Sequence, residues 1–214
     1  MSALRERKKA ALRGTIVRCA VELFVERGYD AVSMEDIATT AMCSRSTLNR
    51  YFGTKEDVLF DSTTEITEHL REQLRHTDGP DRWALARDAV TAHLAEFFEN
   101  VESDLRVDIM QLWFSEPALL RRYLSIVYEW ETILREFFSA GLPRSPGTRL
   151  RVELLATAMS SALRAATTTA LDFDGDAAVL TAEAFEYLEH GLPTLPGDVD
   201  VSPGAGRADP RFAV

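Results

Sequence analysis

An all-α fold is predicted by three features of the sequence. No stretch alternates apolar and polar residues with a period of two. Apolar residues recur instead at three- and four-residue spacing, and Ser, Thr, Gly and Pro stand where helices must begin and end. About nine helices are expected. They divide into an N-terminal three-helix unit of helix-turn-helix type with a basic arm (1–56) and a larger C-terminal helical domain (57–192). The last 22 residues, 193–214, hold four Pro and three Gly without an amphipathic period, and are predicted to be a disordered tail.

The first helix carries Leu12, Ile16, Ala20, Leu23 and Phe24 as one apolar stripe, and Gly28 stops it. Its start is basic: Arg5, Arg7, Lys8, Lys9, Arg13 and Arg18 stand against Glu6 alone, so residues 1–18 carry a net +5. Ser33 then caps a short second helix, and Asp36 occupies the position from which a capping-box side chain reaches back. Ile37, Ala38 and Ala41 give that helix a slim apolar face. Ser44 caps a third helix, Arg45 to Phe52, which Gly53 is expected to end in a left-handed conformation. Leu48 and Phe52 lie four apart and point inward, leaving Arg45, Ser46, Asn49 and Arg50 on the opposite side.

That outward face has the chemistry of a base reader. Arg can fork onto guanine O6 and N7, and Asn onto adenine N6 and N7. Thr47 and Tyr51 sit at its margins, where a hydroxyl meets phosphate oxygen. Lys55 follows Thr54, a cap of the next helix, and is expected on phosphate too. Taken alone, the helix pair is equally a plain hairpin with a solvated polar face.

Further along, a long helix is predicted from Lys55 to about His76, broken by Asp78-Gly79-Pro80, and another from about Asp81 to Glu102. Residues 104–115 form a shorter apolar helix ended at Glu116-Pro117. The next runs from Pro117 to Ala140 and closes at Gly141. A final pair spans Thr148 to about Leu171 and Ala177 to His190. Leu154, Leu155, Ala158, Ser161, Ala162, Ala165 and Ala166 make a small-residue stripe on the first of these, with Leu180, Ala184, Tyr187 and Leu188 at matching intervals on the second. Such faces serve either an intramolecular pair or a subunit interface. Between the two ends, Phe97, Phe98, Met110, Trp113, Phe114, Tyr123, Tyr128 and Trp130 concentrate large apolar side chains, with His93 and Gln111 as polar groups nearby. A stripe of this kind is either core or the wall of a ligand cavity.

Charge is unevenly divided. The chain totals −10, yet residues 1–60 hold 10 Lys/Arg and 8 Asp/Glu, net +2, leaving −12 on residues 61–214. Basic charge therefore gathers where nucleic acid would be met. Cys19 and Cys43 have no metal-ligand spacing and read as small apolar residues in a reducing compartment. His69 and His76 lie near Glu65, Glu68 and Glu72, but no HExxH pattern occurs and a solvated charged face is expected rather than a metal site. No phosphate loop, nucleophile elbow or paired-cysteine motif is present, so neither enzyme activity nor a cofactor is expected. No signal peptide precedes the first helix, and no run reaches the ~18 apolar residues of a membrane span. A cytoplasmic location follows.

The segments ELFVERGYDAVSMEDIA and SRSTLNRYFGTKEDVL, in this order, resemble the DNA-binding domain of the tetracycline-repressor (TetR) family over roughly residues 10–60. The resemblance implies a ligand-responsive transcriptional regulator, most often a repressor. It also implies a homodimer through the 150–170 and 177–190 helices on a near-palindromic operator. DNA contacts fall on Ser33, Ser44, Arg45, Ser46, Thr47, Asn49, Arg50, Tyr51 and Lys55. An apolar or amphipathic effector is expected among His93, Phe97, Met110, Trp113, Phe114 and Tyr128. Two positions depart from the family pattern: Met42 replaces the usual glycine of the turn, and Asn49 replaces an aromatic residue of the recognition helix. The alternative is an effector-binding helical protein whose DNA-binding module has weakened or been lost.

Overall fold

The structure is a computed structural model that describes residues 2–61, 63–173 and 175–191. Among these residues ten α-helices follow one another: α1 (Ser2–Arg27), α2 (Met34–Thr40), α3 (Arg45–Tyr51), α4 (Lys55–Leu59), α5 (Thr63–Arg75), α6 (Arg82–Asn100), α7 (Arg106–Ser115), α8 (Pro117–Ser139), α9 (Pro146–Phe173) and α10 (Ala177–His190). A 3-10 turn at Ser103–Leu105 leads into α7. No strand occurs among the described residues. The proposed tail over 193–214 lies outside them.

The first unit is built on α1, against which α2 and α4 pack, with α3 resting on α2. Ile16, Ala20, Leu23 and Phe24 bury one stripe of α1, as their spacing predicts, and meet Ile37, Leu48, Phe52 and Val58. Gly28 ends α1 at φ +83°, where a side chain would be strained. The basic segment is not an arm separate from this helix. It forms the first turns of α1, with Arg7, Lys8 and Lys9 exposed.

Three local expectations change. The helix expected from 55 to 76 is two helices, divided at Phe60–Asp61, which raises the count to ten. No Gly or Pro marks this division; it arises because Phe60 turns into the helical body and stacks face to face on Trp113, with ring centroids 5.0 Å apart. The Phe60 carbonyl then accepts from the Thr63 N–H (3.2 Å) and the Thr63 hydroxyl (2.7 Å), starting α5 afresh. Second, Gly53 is not left-handed: α3 ends at Phe52 in extended backbone (φ −136°, ψ 125°). Gly53 instead leaves room for Asp57, whose Oδ2 would lie 3.2 Å from an added Cβ and which caps back onto the Thr54 N–H at 2.9 Å. Third, the small-residue stripe of α9 splits. Ala162 and Ala166 are buried in the domain with Ala156 and Met159, whereas Leu154, Leu155, Ser161 and Ala165 are exposed.

The second unit layers α8 against α9, and α9 against α10, with α5, α6 and α7 completing the body. On α5, Thr63, Ile66, Thr67, Leu70 and Leu74 form the buried face. Arg13 of α1 pairs with Asp61, and Arg18 pairs with Asp104 (2.9 Å) and Glu102, so two α1 arginines reach across to the second unit.

Met42 does adopt the left-handed turn conformation (φ 50°) and is 93% exposed. A Cβ there costs about 1–2 kcal/mol, against about 0.5–1 kcal/mol for the extra unfolded-state freedom of glycine. Met42→Gly is therefore expected to stabilise the protein by up to about 1.5 kcal/mol in a denaturant titration; a loss of stability would contradict the strain.

Candidate nucleic-acid interface and effector cavity

Helix α3 is set in place by its own ends. The Ser44 hydroxyl accepts from the Thr47 N–H (3.0 Å) and lies 2.8 Å from the Thr47 hydroxyl, while Leu48 is fully buried and Phe52 nearly so. This anchors one side of the helix and turns Ser46, Asn49 and Arg50 to solvent. The Arg50 guanidinium lies 5.6 Å from the Tyr51 ring, which stiffens the long side chain before any partner arrives. Arg45 is half-buried, and one of its guanidinium nitrogens is buried without a hydrogen bond. Ser46, Asn49 and Arg50 are thus brought together on one open face, with Arg45, Thr47 and Tyr51 at its edge.

Ser33 does cap α2, in a full box: its hydroxyl receives the Asp36 N–H, and the Asp36 carboxylate takes the Ser33 N–H (2.8 Å) and hydroxyl. These bonds hold the Asp36 carboxyl below its ordinary value. A phosphate at Ser33 would face that carboxylate. Lys55 departs further from expectation. Its ammonium donates to the carbonyls of Tyr29 (2.7 Å) and Val32 (3.2 Å) and sits 4.0 Å from the Tyr29 ring. It is a clamp between α4 and the loop before α2, turned inward from solvent. The neighbouring Tyr29 hydroxyl donates to Glu56 at 2.6 Å. Burial pushes the Glu56 carboxyl up, but the bonds from Tyr29, its own backbone and Thr54 outweigh this and leave it lowered. The stabilisation from this Tyr29–Glu56 bond is therefore fully present above the ordinary glutamate range and is lost as pH falls through the lowered value.

Among α5, α6, α7, α8 and α9, and closed by Phe60 at the end of α4, lies an apolar cavity of about 70 Å³, walled by Phe60, Ile66, Phe97, Trp113, Tyr123 and Trp130 among others. Of the six expected pocket residues, Phe97 and Trp113 line it. Met110 is buried in the core away from the cavity, and Phe114 packs edge-on against Tyr123 (5.0 Å) without reaching it. His93 is buried but bonds the Ala89 carbonyl of its own helix at 2.9 Å. Tyr128 is 62% exposed beneath the Arg135 guanidinium. Gln111 is exposed. Tyr123 and Trp130, named in the aromatic stripe but not among the six, line the cavity with Ile126 and Val127, which the sequence reading missed; the four recur at helical spacing on α8, whereas Tyr128 falls off that face.

The cavity wall is also the joint between the units. The Trp113 indole stacks on Phe60, lies 5.5 Å from Phe97 and 5.7 Å from Tyr123, and donates its Nε1–H to the Leu59 carbonyl at 3.2 Å. Opposite, the Trp130 Nε1–H donates to the Thr67 hydroxyl at 2.9 Å. The Tyr123 hydroxyl is buried without a hydrogen bond. Burial pushes this phenol up, with the Thr167 hydroxyl and Arg164 acting the other way. The Thr167 proton goes to the Leu163 carbonyl (2.9 Å), and no contact with hydrogen-bond geometry joins the Tyr123 hydroxyl to the Thr167 oxygen.

Cys19 and Cys43 are free and half-buried, and burial pushes both thiols up, away from thiolate reactivity. Among the described residues there is no group of three or more metal-ligating side chains, and no helix is long and apolar enough to cross a membrane.

Comparison with known proteins agrees with this layout. Residues 16–61 match the model for bacterial regulatory proteins of the tetR family, and residues 81–193 match that of the MftR C-terminal domain. The chain belongs to the tetR family. It is similar to the HTH-type transcriptional regulator TcmR of Streptomyces glaucescens, 30% identical over 64% of this chain and 63% of that one. It is also similar to a mycofactocin biosynthesis transcriptional regulator, MftR, of Mycobacterium tuberculosis, 27% identical over 61% of this chain and 66% of the relative. The match thus spans a little under two thirds of each relative. In fold it resembles the fatty acid degradation regulator FadR from Bacillus halodurans, with TM-score 0.56 at 19% identity, covering 84% of this chain and 98% of that structure.

Because the Lys55 ammonium holds two carbonyls, Lys55→Ala is expected to lower the stability of the N-terminal unit by about 1–2 kcal/mol in chemical denaturation. An unaffected midpoint would release Lys55 from this clamp.

Proposed function

We propose that the protein is a ligand-responsive DNA-binding regulator, acting as a homodimer and most simply as a repressor. One observation carries the reading: α3 presents Ser46, Asn49 and Arg50 on an open face, and Phe60, the residue that ends the adjoining α4, forms part of the wall of an apolar cavity. Asn49 and Arg50 have the donors and acceptors to read adenine and guanine in the major groove, while Ser44, Thr47 and Tyr51 flank them at phosphate level. Arg7, Lys8 and Lys9 on the first turns of α1 add backbone attraction.

Dimerisation is supported by α9 and α10, which leave Leu150, Leu154, Leu155, Val179 and Tyr187 exposed on the last helix pair. Apolar side chains so placed favour burial against a second copy. Two recognition helices spaced by one turn of B-DNA, about 34 Å, then add the energies of two half-sites.

The cavity at about 70 Å³ is far below the ~300–1,000 Å³ of sites that enclose drug-sized ligands. An occupant must therefore push the walls apart. Phe60 is the wall that reaches the N-terminal unit, and α4 is clamped to that unit at Lys55 and Glu56. Displacing Phe60 thus tilts the recognition helix with it. Each tenfold loss in DNA affinity requires the effector to favour the displaced state by about 1.4 kcal/mol.

The strained Met42 favours a second reading, an effector-binding protein with a weakened DNA module. Fluorescence anisotropy with duplexes from upstream of the chain's own gene, beside random duplex, at two salt concentrations separates the two. The regulator prefers one site at both salts; the weakened module binds all duplexes alike and only at low salt.

On that site, Asn49→Ala and Arg50→Ala should each cost about 1–3 kcal/mol, with no matching loss on random duplex. Equal losses on both duplexes would assign the side chain to the backbone. Leu154→Glu should yield monomers by size-exclusion light scattering, and an intact dimer would remove α9 from the interface.

A further inference from the structure

We propose that Tyr123 is the specificity-determining anchor of the cavity. The part of the effector that enters is neutral and largely hydrocarbon or aromatic, and carries a single hydroxyl or carbonyl oxygen bonded to the Tyr123 hydroxyl. This rests on the cavity being the effector site and narrows that site to a chemical class.

Every other polar side chain of the wall already makes at least one hydrogen bond. Thr63 donates to the Phe60 carbonyl (2.7 Å), Thr67 receives the Trp130 indole N–H (2.9 Å), and Thr167 donates to the Leu163 carbonyl (2.9 Å). The Trp113 N–H is held by the Leu59 carbonyl. Tyr123, only 7% exposed, is the one lining side chain whose polar atom is buried without a hydrogen bond. Its ring is fixed by Trp113 and Phe114 on either side, so the hydroxyl is held in position before a ligand arrives.

A phenylalanine would fill the same space without stranding a polar atom. Keeping the hydroxyl there lowers the stability of the empty protein and is repaid when a ligand oxygen completes the bond. A phenol O–H can donate to a carbonyl or accept from an alcohol, so either oxygen serves. Charge is excluded from the buried part, because no lining residue is ionisable at neutral pH and an unpaired buried carboxylate is prohibitive. The resting space, about 70 Å³ against the ~150 Å³ void that accepts benzene, must open to admit even one ring, as the proposed displacement of Phe60 requires.

Three probes that share one skeleton test this on the full chain: thymol, p-cymene, which lacks only its hydroxyl, and 4-isopropylbenzoate. Tryptophan fluorescence reads occupancy, because Trp113 and Trp130 both face the cavity. Wild type should bind thymol about tenfold more tightly than p-cymene, and both more tightly than the benzoate. Tyr123→Phe should bind the first two equally and, ligand-free, melt no lower than wild type. A thymol preference that is absent in wild type, or survives Tyr123→Phe, overturns the anchor and leaves the cavity an effector site. Benzoate binding as tight as thymol overturns the neutral class. Binding of none of the three removes the cavity reading and the proposal with it. If Tyr123→Phe melts lower or fails to fold, the hydroxyl has a structural partner and the anchor is overturned.

Discussion

The Trp113 indole, held face to face by Phe60 and bonded to the Leu59 carbonyl, is the contact on which the arrangement of the molecule turns. It draws Phe60 out of the path of a continuous helix, so α4 ends at Leu59 and α5 begins at Thr63. The same contact closes the cavity on the side facing the N-terminal unit. One aromatic pair therefore sets the direction of the chain between the units and joins their interiors. Around it, Arg13 with Asp61 and Arg18 with Asp104 are exposed or half-exposed ion pairs. Pairs of that kind contribute little in water, so the buried ring stack and its hydrogen bond carry more of the orientation.

Helix α4 has only five residues and lacks the length to be stable alone. It survives because both ends are held. Thr54 and Asp57 form a capping box at its start, and Lys55 and Glu56 fasten it to the loop at Tyr29 and Val32. Its far end meets Trp113. In the proposed function, this short rod, fixed at one end to the N-terminal unit and at the other to the cavity wall, would carry a displacement of the wall with little bending. That is the physical basis for coupling an effector to DNA in the proposed function.

The helical class and the ends of most helices were legible in the sequence because their signals are local. Ser33 and Ser44 cap as their types predict, Gly28 and Gly141 take positive φ, and Pro117 opens α8. The open face of α3 was legible too, since Leu48 and Phe52 fix its rotation. What escaped was tertiary in origin. Nothing in Phe60-Asp61 announces a helix break, because the cause is a tryptophan 53 positions later. The inward bonds of Lys55 were not legible because they go to backbone carbonyls, which carry no sequence identity. In the cavity, composition identified an aromatic-rich region but not which ring faces inward. The helical period of α8, applied to Tyr123 and Tyr128, separates wall from surface.

The Trp113 contact is tested most directly by the distance between recognition helices in the proposed dimer, measured by pulsed electron spin resonance with labels at the exposed position Ser46. With Trp113 in place, the ligand-free protein should give a narrow distribution near the ~34 Å spacing of successive major grooves. Trp113→Leu, which removes both the stack and the bond to Leu59, should broaden or displace it. An unchanged distribution in a folded Trp113→Leu protein would contradict the account.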